Sequence, residues 1–177
     1  MNRRAFTGTF VGMAAAVKSV GGASSGKFTL VTVPQAEEVL SQGLVLDAIA
    51  AEWLPQSLTV MEGDAGPHSD SNATIRVINA ATPGWWNRTE FDWFELRVYD
   101  IGESAWIGDL ETAMAKVRPA LIGRDQSGQL ICLIPFETLA DRELAWNEFN
   151  SDPEWDRLRT QLGSIRIETS LYRRRSN

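Results

Sequence analysis

The heptapeptide WFELRVY, Trp93–Tyr99, is the stretch whose reading decides the fold. Phe94, Leu96 and Val98 alternate with Trp93, Glu95, Arg97 and Tyr99. A period of two places the first set on one face of a β-strand and the second on the other. Downstream the period keeps changing. Asp109–Val117 has helical spacing and stops ahead of Pro119. Leu121–Arg124 and Gly128–Ile134 form a hairpin pair around the turn sequence DQSG. In FETLADRELAWNEFNSDPEWDRLR, residues 136–159, Thr138 with Asp141 three residues on starts one helix. Asp152 followed by Pro153 starts a second. Leu139, Trp146 and Phe149 share a face of the first, and Trp155, Leu158 and Leu162 a face of the second. Ser164–Tyr172 alternates again, with Ile165, Ile167, Thr169 and Leu171 against Arg166, Glu168, Ser170 and Tyr172.

From Trp93 the order is therefore strand, helix, strand, strand, helix, strand. That is the split βαβ, or ferredoxin-like, arrangement of the α+β class. Such a sheet has helices on one face and leaves the other bare. The bare face of so small a domain calls for a second copy, as in dimeric α/β barrels, supplied by a homodimer or by an intrachain tandem. Residues 27–82 offer a degenerate version: strand Lys27–Val33, helix Gln35–Leu54 ended by Pro55, then strands Ser57–Met61 and Ala73–Ile78. The helix rests on the spacing of Val39, Leu46, Ile49 and Trp53. The expected layout is a partial β-α-β-β half over 27–82, a connector over 83–92 and a complete domain over 93–177.

Residues 1–26 read differently. Arg3 and Arg4 precede Phe6, a weakly apolar run covers Thr9–Val17, and small residues follow. Basic, apolar and small segments in that order have the layout of an export signal, and the RRxF core resembles a twin-arginine signal. The expected location is periplasmic or extracellular. The alternative is a cytoplasmic protein with a basic N-terminus.

Composition narrows the partners. The net charge of −6 disfavours a phosphate-backbone partner, since nucleic-acid binders carry a positive footprint. No run of about eighteen apolar residues is present to form a membrane-spanning helix. One cysteine and one histidine cannot build a Cys/His zinc site. GGASSGK at 21–27 lacks the spacing of a phosphate loop. No metal and no cofactor is expected.

Two motifs carry a family resemblance. FELRVY stands at Phe94–Tyr99, and ICLIPFETLADRELAWNEFNSDPEWDRL at Ile131–Leu158 contains [F/Y]-x-x-[L/M]-A-x-R-E-x-x-W-x-x-F-x-x-D-P-E-W. In that order, ahead of a closing strand, they resemble the NIPSNAP family over Trp93–Arg173. The resemblance implies a dimeric α+β barrel. It implies no particular chemistry, because the family's motif residues look like scaffold.

The candidate ligand-binding residues are Glu95, Arg97 and Tyr99 on the face of the sheet that would line the barrel, joined by Arg166 and Glu168 if the last strand is in register. Mixed charges on a partly dry surface attract strongly, and Arg97 could fork a small polar or anionic ligand. The competing reading is an internal ion-pair network. His68 has a pKa suited to a general base, but no nucleophile is placed beside it by any motif. Cys132, inside the apolar run LICLIP, reads as a buried thiol. Trp85 and Trp86 sit in the turn-rich connector, where exposed aromatics can mark an interaction surface. Two functions fit. One is a small-ligand or protein binding module, expected to have a filled lumen and an exposed aromatic patch. The other is a cofactor-independent monooxygenase- or isomerase-like enzyme, expected to enclose a cavity beside Glu95, Arg97 or Tyr99.

Overall fold

The structure, a computed structural model, describes residues 24–34, 43–51, 56–63, 74–82, 89–101, 106–163 and 165–175. Eight strands occur in these residues: β1 (Ser24–Pro34), β2 (Leu44–Ala51), β3 (Gln56–Glu62), β4 (Thr74–Thr82), β5 (Trp93–Asp100), β6 (Leu121–Asp125), β7 (Leu130–Phe136) and β8 (Arg166–Arg174). The helices are α1 (Ile107–Met114), which runs on into a 3₁₀ turn at Ala115–Val117, α2 (Leu139–Asn150) and α3 (Pro153–Leu162). Residues 1–23, which hold most of the stretch expected to be a signal, together with His68, Trp85 and Trp86, lie outside the described residues. β1 begins at Ser24, three residues ahead of the boundary expected from the sequence.

The strands form one closed barrel in the order β1-β3-β2-β8-β5-β7-β6-β4, and every pair is antiparallel. This overturns the expected ferredoxin-like split βαβ of the dimeric α/β-barrel type. Among the described residues the molecule is a mostly-sheet barrel with three helices, not an open sheet with a bare face. The physical reason lies in the strands that join the two halves of the chain. β2 bonds to β3 on one side and to β8 on the other, while β4 bonds to both β1 and β6. Closure satisfies backbone groups that open edges would leave to solvent. Read from β4, the circuit runs β4-β1-β3-β2 and then β8-β5-β7-β6, so the second four strands repeat the relative order of the first four.

β2 occupies Leu44–Ala51 of the stretch expected to be helical, Gln35–Leu54, of which residues 35–42 and 52–54 lie outside the described residues. Leu44 and Leu46 pack into the lumen with Ala48 against them, while Val45 and Asp47 alternate with them. The helical spacing of Leu46 and Ile49 is real in the sequence. Pairing on both sides of the strand wins over it, as tertiary context commonly does over local propensity. The remaining strand and helix expectations fall close to β3, β4, β6, β7, α1, α2 and α3.

Two apolar clusters hold the molecule. The lumen is packed by Phe28, Leu30, Leu46, Leu58, Val60, Ile78, Phe94, Leu121, Ile131 and Leu133, each with at most 1% of its surface accessible. An eight-stranded barrel is just wide enough for side chains to fill it. Burying a large apolar side chain is worth roughly 1.5–3 kcal/mol, so the lumen is a major source of stability. The second cluster lies between the outer face of β5 and β7 and the helices. It joins Tyr99, Leu130, Cys132 and Ile134 to Leu110 and Met114 of α1, Trp146 and Phe149 of α2, and Trp155 and Leu158 of α3. β7 is covered on both faces, which explains why its sequence is apolar throughout.

Candidate functional site

The parity of β5 decides where the polar candidates go. Phe94, Leu96 and Val98 point into the lumen, so Glu95, Arg97 and Tyr99 point outward, beneath the helices. The expected placement on the barrel-lining face is corrected on this point. A sequence alternates equally well in either sense, and only closure of the sheet tells the inside from the outside. On β8 the even-numbered residues again face the lumen, so its two candidates fall on the opposite face from those of β5. Tyr172 is in the lumen and Ile167 packs with the outer cluster, so Arg166 and Glu168 share the inward parity. These two pair with each other, Arg166 Nη2 to Glu168 Oε1 at 3.1 Å, and Arg166 is largely exposed at a barrel mouth. The structure therefore splits the five candidates between two faces.

Glu95 is the centre of the outer group. Its carboxylate has no accessible surface. Arg97 Nε donates to Oε1 at 2.5 Å, Arg142 Nε to Oε2 at 2.5 Å, and Trp146 Nε1 to the same Oε2 at 3.0 Å. The guanidinium of Arg97 also lies over the Trp146 ring, 3.4 Å from its centroid. Such a carboxylate is tolerated in a dry layer only because charge-assisted bonds reach both of its oxygens. Arg142 and Trp146 are four residues apart, one turn of α2, so both face β5 together. The helix is set by Thr138, whose hydroxyl accepts from the Asp141 amide while the Asp141 side chain accepts from the Thr138 amide. Trp146 and Phe149 meet edge-on at 5.5 Å, and Phe149 rests on Trp155 at 4.7 Å. The two sequence motifs thus converge in space. Arg142 was legible as a motif residue but carried no sign of a partner forty-seven positions away.

Tyr99 donates its hydroxyl to Met114 Sδ at 3.1 Å, and burial drives its pKa well above the ordinary tyrosine value. Cys132, opposite Arg97 on β7, is fully buried, and burial pushes its thiol pKa up as well. Neither group is ionised or reachable near neutral pH, so neither supplies a nucleophile or a base. Among the described residues no cluster of three or more His, Cys, Asp or Glu side chains could hold a metal ion. No helix of the described residues is long and apolar enough to cross a membrane.

An open cleft of about 440 Å³ lies between α1 and α3. Trp106, at the start of α1 and 39% exposed, forms one wall. Ala113 and Leu158 supply apolar floor, and Asp109, Lys116 and Arg157 bring charges of both signs. Lys116 Nζ is anchored to Asp152 and Glu154, each at 2.6 Å. This clamp ties the end of α1 to the cap of α3, where Asp152 Oδ1 accepts from the Glu154 amide at 2.8 Å.

No protein-family model matches the chain, and no curated protein matches it by sequence. Among solved structures it is similar to the crystal structure of a putative monooxygenase from Lactobacillus acidophilus NCFM, with a TM-score of 0.48 and 8% sequence identity over 84% of this chain and 94% of that one.

Proposed function

We propose that the protein is a non-catalytic binding module that takes a small ligand, or a short segment of a partner protein, in the cleft between α1 and α3. The observation that carries this reading is the contrast between that cleft and the buried polar groups. The cleft is open, of ligand size, and combines an exposed indole with apolar floor and fixed charges. Glu95 and Tyr99, by contrast, have no accessible surface and spend their polar atoms on neighbouring side chains. A cofactor-independent monooxygenase- or isomerase-like enzyme would need an enclosed space beside those groups, and the packing of Met114, Trp146 and Phe149 fills that layer. The NIPSNAP resemblance fits the same reading, because its motif residues serve here to lock α2 onto β5.

Native mass spectrometry of the full chain purified from its own host tests the proposal. The expected result is a discrete bound species that leaves on activation and is lost in Trp106→Ala. A bound species retained at full occupancy by Trp106→Ala would remove the cleft from the function. Turnover of a retained small molecule on incubation would replace the binding module with the enzyme.

A further inference from the structure

We propose that Arg97, Arg142 and Arg173 form an anion-binding site on the outer face of β5 and β8, for a small molecule bearing a carboxylate or a phosphate. The site is separate from the cleft between α1 and α3 and does not depend on it. Its base is Glu95, fully buried, which receives the Nε of both Arg97 and Arg142. One carboxylate cannot neutralise two guanidinium groups, so a positive charge is left over. The arginine side chains are 19% and 28% accessible, while the carboxylate beneath them is at 0%. Arg142, the more accessible of the two, brings part of that excess charge to the surface.

The donors that remain are suitably placed. The Nη groups of Arg142 make no protein hydrogen bond among the described residues, whereas the Arg97 guanidinium is flanked by the Tyr99 side chain, Cys132 and the Trp146 ring. The Nε bonds, and the Trp146 ring under Arg97, hold both guanidinium planes in position. An incoming oxyanion would thus meet forks that are already ordered, which lowers the entropic cost of binding. The strand register adds the rest. Thr169 lies opposite Arg97, Leu171 opposite Glu95 and Arg173 opposite Trp93, so all three share the outer face. Thr169 and Leu171 are half-buried, and Arg173 is exposed with its guanidinium 5.5 Å from the Trp93 ring centroid. Asp141, the acid next to Arg142, is turned to its own helix cap. Asp47 of β2, opposite Arg173, is paired with Arg175, so the outer patch sets Arg97, Arg142, Arg173 and Arg175 against Glu95 and Asp47 in a chain whose net charge is −6. A local positive field on an acidic molecule attracts small anions and disfavours long polyanions, which would feel the whole surface.

The test is thermal unfolding of the full chain titrated with sodium phosphate and, separately, sodium butyrate, at ionic strength held constant with chloride. At least one of the two should raise Tm along a saturating curve. Arg142→Lys keeps the charge and loses the fork, and Arg173→Gln removes an exposed side chain whose ring contact is the surface one with Trp93. Each should weaken the apparent affinity at least tenfold, while Arg159→Lys on α3 leaves it unchanged. Which anion saturates decides between phosphate and carboxylate. The proposal is overturned if neither anion stabilises beyond chloride, or if Arg173→Gln binds as tightly as the parent. That variant keeps the result decisive even where Arg142→Lys folds poorly.

Discussion

At the scale of single residues, Glu95 is the most consequential side chain in the described structure. It sits in a dry layer, with three donors converging on its two oxygens. Removing one member of a buried ionic group leaves the others uncompensated, which costs about 3–5 kcal/mol. Glu95→Gln is therefore expected to lower Tm by roughly 6–20 °C for a chain of this length. Urea unfolding followed by tryptophan fluorescence measures the loss directly, and a change below about 1 kcal/mol would mean that the two arginines find other partners. FELRVY and the Arg-Glu-x-x-Trp run were legible in the sequence as motifs. Their joint purpose was not, because nothing local to β5 says that its odd-numbered residues lie under a helix.

Elements were readable where their signals are local. The caps at Thr138 and Asp152 are set by side chains bonding to amides two or three positions on, and they formed as expected. Thr138→Ala should cost about 1 kcal/mol, seen as a fall in Tm with unchanged far-UV circular dichroism at low temperature. β2 was not readable, since its strand state is imposed by β3 and β8. Gly123 of β6 shows the same dependence on distant chain. A Cβ at this position would lie 2.2 Å from the Asn79 carbonyl oxygen of β4. Backbone cannot yield as a flexible side chain can, so Gly123→Ala should force β4 and β6 apart. Hydrogen exchange should then accelerate at the amides of Asn79–Ala81 and Ile122–Arg124 well before those of β5 and β7. Uniform acceleration would place the defect in the whole barrel instead.

For the whole molecule, the two junctions between the first four strands and the last four each carry an ion pair. Arg76 of β4 bonds Asp125 of β6 at 3.0 Å. Arg175, just past β8, forks Asp47 of β2 and also reaches Ser57 Oγ at 3.0 Å. Hydrogen bonds from Arg175 hold the Asp47 pKa below the ordinary carboxylate value, against the opposing effect of burial. Asp125 is also held low: burial opposes its charge, but bonds from Ser127, Gln129 and Arg76 outweigh that effect. A depressed carboxylate contributes stability above its unfolded pKa of about 3.9 and loses it as pH falls through the folded value. Tm should therefore fall steeply below about pH 4. Arg175→Ala should be less stable than the parent at pH 6, with the gap narrowing toward pH 2.5. A gap that stayed constant over that range would show that Arg175 acts through packing alone.

The sequence by itself determined the strands of period two, the helix caps, the apolar run of β7 and the buried state of Cys132. Each follows from interactions within a few residues or from side-chain chemistry alone. It also showed that the chain has neither the charge of a nucleic-acid binder nor the ligands for a Cys/His zinc site. Only the tertiary structure decided that eight strands close on themselves, that β2 is a strand, and that Glu95 and Arg97 face outward to meet Arg142. Inside and outside are properties of a closed surface. No alternating pattern can choose between its two faces until pairing between distant strands has made one of them the lumen.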